Sequence, residues 1–252
     1  MTDLKDFLEE KVQQYNTLDF IQTDPIQIPH RYSQKEDIEI AGFLTATIAW
    51  GKRQMIIRNA DKMMQLMGNS PYDFVMSFSA NNLDKMQGFV HRTFNSDDLQ
   101  FFMKSLRNIY QQHGGLETVF SQYQTSTSMQ EAICAFRNIF FEIDHLPRTK
   151  KHISDPMKNS SAKRLNMMLR WFVRRDPQGV DLGIWQTIPT AILSCPLDVH
   201  SGNVARKLGL LTRKQNDAKA LKELDEALRI MDPKDPVKYD YALFGLGVFE
   251  GF

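Results

Sequence analysis

Cysteine is nearly absent from this chain: of 252 residues only Cys134 and Cys195 carry a thiol, and they lie far apart without metal-type spacing. A disulfide framework, a zinc site and an iron–sulfur cluster therefore have no ligand set. Long hydrophobic runs are missing too, so no segment reads as a membrane span. The N-terminal MTDLKDFLEEKV is acidic and amphipathic, unlike a signal peptide. The reading is a cytoplasmic protein with no membrane partner. Net charge is only +1, which by itself points to no polyanionic partner. No alternating strand pattern persists long enough to build a sheet, and there is no internal repeat or low-complexity tract. A chain of 252 residues can bury a sizeable core, as one large domain or as two intimately packed subdomains.

What is present has the helical period. Ile40, Phe43, Leu44, Thr47 and Ile48 form an apolar stripe ending near Gly51, and Ile56, Ala60, Met63 and Met67 form another ending at Gly68. Ser70-Pro71 reads as an N-cap and first helical residue of a short helix through Val75. Leu99, Met103, Leu106 and Tyr110 continue the pattern up to Gly114-Gly115, and Ala132, Phe136 and Phe140 supply another helix. Beyond the loop from Pro147 to Pro156 the spacing predicts a helix near Ser161 to Arg174, a short one around Trp185, one after Asp198, one through Leu221, Leu224 and Leu228, and a last one from Pro236. The methionines in these stripes read as core filler. The expected fold is all-α: two packed helical lobes with a cleft, a scaffold lobe over 37–145 and a lobe over 146–252, with 1–36, that carries the site.

Charge is unevenly distributed. From His145 to Arg175 there are nine Lys/Arg against one acid, Asp155, and Arg206, Lys207, Arg213 and Lys214 form a second cluster. Such clustering is the footprint of phosphate contact, or of a solvated face balanced by acidic helices elsewhere. In NSSAKRLNMMLRWFVRR, Asn159 to Arg175, Leu165, Met168, Leu169 and Phe172 share one helix face and leave Lys163, Arg170 and Arg174 on the other. Ser160 or Ser161 can cap this helix and place Lys163 in or near its first turn, where the helix dipole disfavours the charged amine. A neutral amine is what nucleophilic attack on a sugar carbon requires.

The second candidate is Asp198, in PLDVHSGNVARKLGLL, Pro196 to Leu211. Its carboxylate suits an N-cap, with Val204, Leu208 and Leu211 following at helical spacing. His200 is placed to orient Asp198, to cap the helix or to touch phosphate. A metal-dependent hydrolase built on Asp198 and His200 lacks further ligands at suitable spacing.

The wording Asp-x-His, then valine and arginine, then Leu-Gly-Leu resembles the catalytic-aspartate segment of the helix-hairpin-helix DNA glycosylases, the endonuclease-three and 8-oxoguanine-glycosylase superfamily. Lys163, Asn166 and Leu169 look like that superfamily's Lys-x-x-Asn-x-x-Leu helix. Asp37 through Trp50 resembles its first core helix, Gly88-Phe89 through Gly114-Gly115 its glycine-plus-basic segment and following helix, and Asp235 to Gly247 its closing helix. As a whole the chain is similar to a bacterial family of undetermined function. The superfamily resemblance implies a base-excision glycosylase acting on duplex DNA without a cofactor, with or without Schiff-base lyase activity. Lys163 would be the nucleophile and Asp198 its assistant, supported by His200 and Asn166. Lys158, Ser160, Ser161, Arg164, Arg170, Arg174 and Arg206 would contact DNA, and Trp50, Trp185 and Phe249 would wall the pocket for the extruded base.

The chain departs from that pattern at one point that matters. The superfamily's hairpin reads Leu-Pro-Gly-Val-Gly before the lysine, and its glycines let backbone N–H groups approach a phosphate. Here the segment is SDPMKNSSAK, which contains no glycine. Between Lys163 and Asp198 lies RRDPQGVDLGIWQTIP, which must fold back as a loop and short helix for the two side chains to meet. Two other readings stay open: a nucleic-acid-binding protein on the same scaffold without catalysis, and a helical protein–protein adaptor in which Asp198 is only a cap.

Overall fold

The computed structural model describes residues 2–252. Helices dominate it, in the order α1 (Thr2–Tyr15), α2 (Leu18–Thr23), α3 (Lys35–Thr47), α4 (Arg53–Leu66), α5 (Pro71–Ser77), α6 (Ala80–Asp84) and α7 (Ser96–Gln112). There follow α8 (Leu116–Gln122), α9 (Gln130–Phe140), α10 (Lys163–Val173), α11 (Val199–Lys207), α12 (Ala218–Met231) and α13 (Tyr239–Phe249). Among the described residues the only sheet is the antiparallel hairpin of β1 (Val90–His91) and β2 (Phe94–Asn95), with Val90 opposite Asn95. No helix among them is long and apolar enough to cross a membrane.

The chain divides into two compact units. One comprises residues up to Ile21, Gln124–Glu131 and Asp155–Phe252, and the other Gln22–Tyr123 and Ala132–Ser154. In the second, α3 is buried from Ile38 to Thr47. The apolar stripe read from its sequence thus underestimates its burial, because α3 sits inside the unit rather than on its surface. Phe43 stacks on Phe102 and meets Phe136 and Phe140 edge-on, all three at 5.5–5.7 Å between centroids. The start of α7 is closed by Asn95 and Asp98 in a capping box. The buried Asp98 also accepts from Thr149 Oγ1 at 2.7 Å and His152 Nε2 at 3.0 Å. Burial opposes ionisation of Asp98, but these donors outweigh it and hold the carboxyl down at about 2.

In the first unit, α13 packs against α1 and α11. Two helical glycines make this approach close. A Cβ on Gly245 would lie 2.1 Å from the Tyr15 ring, and one on Gly247 3.1 Å from the His200 Cβ. The apolar spacing Leu221, Leu224, Leu228 of α12 joins Leu8, Val12, Val204, Leu243 and Leu246 in one core.

The segment after α10 differs from expectation. No helix forms around Trp185; the chain instead turns at Asp176-Gly179, pairs Arg175 with Leu182, and runs back along α10. The reason lies in the last turn of that helix, whose carbonyl groups have no partner within it. Leu182 N–H donates to Trp171 O and Trp185 N–H to Phe172 O, both at 2.8 Å. An extended segment satisfies these acceptors; a helix would have kept its N–H groups for itself.

Candidate functional site

Lys163 is the first residue of α10 and Asp198 the N-cap of α11. They are 35 residues apart in sequence, yet Lys163 Nζ lies 3.3 Å from Asp198 Oδ2. Each keeps some access to solvent, with side-chain exposures of 36% for the lysine and 15% for the aspartate.

A short polar clamp brings the two helix starts together. Asn216 Nδ2 donates to the Asp198 carbonyl oxygen at 2.7 Å. Its neighbour Asp217 accepts from Asn159 Nδ2 at 3.0 Å, and Ser160 forms a β-bridge with Asp217. One dipeptide therefore holds both the aspartate and the loop that precedes the lysine. Gly202 makes room for it, since a Cβ there would lie 2.7 Å from Asn216 Oδ1. Arg206 fixes the amide from the far side, its NH2 donating to Asn216 Oδ1 at 2.5 Å and its Nε to Arg213 O at 2.8 Å.

Ser201 supplies the orientation of Asp198, one of the three roles open to His200. Ser201 N–H donates to Asp198 Oδ1 at 2.9 Å, and Asp198 N–H donates to Ser201 Oγ at 2.9 Å. With Oδ1 committed to the cap, Oδ2 faces the lysine. His200 is exposed, with its Cβ against α13 near Gly247. The signal was present as Asp-x-x-Ser, a capping-box spacing with serine in the reciprocal position. Asn216 had no comparable local signal.

The lysine helix is capped differently from expectation. Neither Ser160 nor Ser161 caps α10; its N-cap is Ala162, in the left-handed region at φ 47°, without a side-chain cap. Asn159 is also left-handed, at φ 61°. Ser160 Oγ accepts from Ala162 N–H at 3.2 Å, and Ser161 is buried with its carbonyl oxygen accepting from Asn166 Nδ2 at 2.9 Å. Asn166, itself buried, thus braces the loop from inside rather than facing the Lys163 amine.

Several residues expected at DNA are committed elsewhere. Arg170 and Arg174 are both 3% exposed. Arg170 pairs with Asp181 at 3.1 Å and with Asp240, and Arg174 pairs with Asp181 at 3.0 Å and Asp235 at 2.9 Å. These guanidinium groups neutralise carboxylates inside the unit, not phosphates, because α10 is covered on the face that the sequence left polar. Burial pushes Asp240 up to about 6, opposed by the Arg170 charge and reinforced by those of Asp198 and Asp181. Arg206 turns inward to Asn216, as described. Arg164 is half-buried, and burial pulls its guanidinium down to about 10. Lys158 is exposed just before the left-handed loop.

The expected base-pocket aromatics have different surroundings. Trp185 is buried against Phe172 at 5.1 Å between centroids, so it is core. Phe249 is half-exposed at the end of α13 and stacks on Tyr15 at 5.6 Å. Trp50 belongs to the other unit, where it meets His91 edge-on at 5.0 Å.

Comparison with known proteins agrees with one family. The profile described as Protein of unknown function (DUF2400) matches residues 24–249. The chain belongs to that family. No curated protein and no solved structure matches it. The matched span includes Lys163, Asp198 and the Asn216-Asp217 clamp. Among the described residues no group of three or more His, Cys, Asp or Glu side chains is placed to hold a metal ion.

Chemically, the pair is an amine whose proton has a carboxylate acceptor at hydrogen-bond distance. The aspartate is fixed by backbone and side-chain bonds, while the lysine approaches from a separate helix. Such a couple can attack an electrophilic carbon and pass the displaced proton to a neighbour that does not move.

Proposed function

We propose that this protein is a DNA-repair base-excision glycosylase with Schiff-base lyase activity, acting in the cytoplasm on duplex DNA through a glycosylase-like helical fold. The observation that carries the reading is the 3.3 Å approach of Lys163 Nζ to Asp198 Oδ2 at the starts of two helices. The segments around both residues are those that resemble the superfamily's catalytic ones. Asp198 takes the lysine proton, and the free amine's electron pair forms a bond to the sugar C1′ as the bond to the base breaks; the base leaves with the pair of the broken bond and takes up the proton that Asp198 holds. At an abasic sugar the same amine adds to the C1′ aldehyde and loses water to give an imine. Loss of a C2′ proton then expels the 3′ phosphate. Once it has passed the lysine proton on, the ionised Asp198 stabilises the positive charge of the protonated imine.

The loop before the lysine supports the reading in an unexpected way. It holds two residues in the left-handed region, Asn159 and Ala162, without glycine. Asn159 is suited to that conformation; for Ala162 it is strained and held by its surroundings. Lys158 adds an exposed cation at the same loop. With Arg170 and Arg174 buried, this loop, not the face of α10, would meet the phosphate.

The test is borohydride trapping on duplexes carrying an abasic site or 8-oxoguanine, comparing the parent with Lys163→Gln and Asp198→Asn. The expected result is a trapped adduct with the parent, none with Lys163→Gln, and a reduction of about a hundredfold or more with Asp198→Asn, the usual scale for a general base. Trapping that survives Lys163→Gln removes the lysine from the mechanism. Salt-sensitive DNA binding without base release or trapping transfers the reading to a non-catalytic nucleic-acid binder.

A further inference from the structure

We propose that a cavity of the first unit, lined in part by Asp225 and Gln130, binds a flat small molecule carrying adjacent N–H donors, such as an amidinium or the amino-bearing edge of a nucleobase. The cavity measures about 580 Å³ and shares no lining residue with the Lys163–Asp198 pair. That volume falls within the roughly 300–1,000 Å³ of small-molecule sites. Its apolar walls are Ala191, Ile192, Ala218, Leu221 and Pro233.

The polarity of the site follows from one hydrogen-bond chain. The Ser194 hydroxyl donates its single proton to the buried Asp225 carboxylate. Ser194 Oγ can therefore only accept from Gln130, whose Nε2 stands 3.3 Å away. That fixes the amide with its oxygen turned the other way, and Gln130 Oε1 is buried without a partner. A buried acceptor without a donor is costly, and a small rotation of the Gln130 side chain, which lines the cavity, would present it to a ligand N–H. Asp225 adds acceptor capacity: its carboxylate takes the Cys195 N–H at 3.0 Å on Oδ1 and the Ser194 hydroxyl, with the Arg229 guanidinium no nearer than 4.0 Å, which leaves part of its roughly four lone-pair sites unused. Burial pushes this carboxyl up to about 6, against the Ser194, Cys195 and Arg229 contacts that lower it, so further donors would favour its charged form.

The cations at the cavity do not make it an anion site. Arg229 spends Nε on Ala191 O at 3.1 Å and NH2 on Leu193 O at 2.8 Å. Lys222 is largely exposed and pairs with Glu226 at 3.8 Å. The unmet capacity inside is for donors.

Titration calorimetry on the full chain compares benzamidine and guanosine with benzoate, which has the shape of benzamidine but offers acceptors. Benzamidine, guanosine or both should bind at least tenfold more tightly than benzoate, and whichever binds tells an amidinium from a nucleobase edge. Gln130→Met should weaken that binding about tenfold, the effect of one buried hydrogen bond. Ala218→Trp, at the first position of α12, should fill the cavity and abolish it. If Ala218→Trp fails to fold, Gln130→Met decides alone. Benzoate binding as tightly as both donor probes, or donor binding indifferent to Gln130→Met, overturns the proposal.

Discussion

Asp198 and Ser201 exchange hydrogen bonds across the first turn of α11, each donating its backbone N–H to the other's side chain at 2.9 Å. The same carboxylate, through its second oxygen, meets Lys163. Cap and charge can be separated by substitution. Asn caps a helix as well as Asp does, so Asp198→Asn should leave stability within a few tenths of a kcal/mol while removing the charge; Asp198→Ala should cost about 1 kcal/mol. Urea unfolding of the two variants beside the parent checks this. Equal losses for both would mean that the ion pair, not the cap, holds the helix start.

Arg174 and Lys158 should behave oppositely. Arg174→Met takes the guanidinium from Asp235 and leaves Asp181 with Arg170 alone, and breaking a buried pair in this way costs about 3–5 kcal/mol. It should not change the salt dependence of DNA binding by whatever protein remains folded. Lys158→Ala should leave stability unchanged within about 0.5 kcal/mol. If Lys158 neutralises one phosphate, its loss should also reduce the slope of log K against log salt by about 0.9. Urea unfolding and binding titrations at several salt concentrations separate the two effects.

Helices α3, α4, α5, α7 and α9 to α13 were legible because apolar spacing is a local property, and the pairing expected of Lys163 with Asp198 is found at 3.3 Å. What stayed hidden depends on partners distant in sequence. Arg170 and Arg174 read as a basic face because Asp181, Asp235 and Asp240 approach only once the chain has folded. Trp185 lost its expected helix to the carbonyl groups at the end of α10 that have no partner within that helix, which no periodicity records. Asn216 is one polar loop residue among several, and only the void above Gly202 shows why it fits.

The pH dependence of stability should carry the signature of Asp225. Its folded-state value of about 6 exceeds the ordinary 3.8, so between these limits the folded state holds a proton that the unfolded state releases. Stability from this group is therefore present at low pH and lost as pH rises from about 4 to about 6. Neutral Asp225→Asn lacks the loss. Relative to the parent it should improve across that interval by an amount of order 1–3 kcal/mol and level off above it. The groups facing Asp225 are Ser194 and Cys195 from the loop, Gln130 through Ser194, and Arg229 and Glu226 on its own helix. Urea unfolding of both proteins at about pH 4, 5, 6 and 7 gives the comparison; a difference that is flat across the interval would contradict the assignment.

Gly245 should be the least replaceable helical glycine. Alanine normally gains up to about 1 kcal/mol over glycine inside a helix. Here the added Cβ would lie 2.1 Å from the Tyr15 ring, closer than any contact allows, and the ring must move. It is not free to do so cheaply, because its hydroxyl donates to Glu250 and its face stacks on Phe249. Overpacking of this kind costs about 1–3 kcal/mol, which outweighs the propensity gain. Gly245→Ala should therefore destabilise the protein on its own. In a Tyr15→Ala background the clash disappears, and the same substitution should become neutral or stabilising by up to about 1 kcal/mol. A double-mutant cycle in urea measures the coupling, and additive effects would show that something other than the Tyr15 ring sets the requirement for glycine.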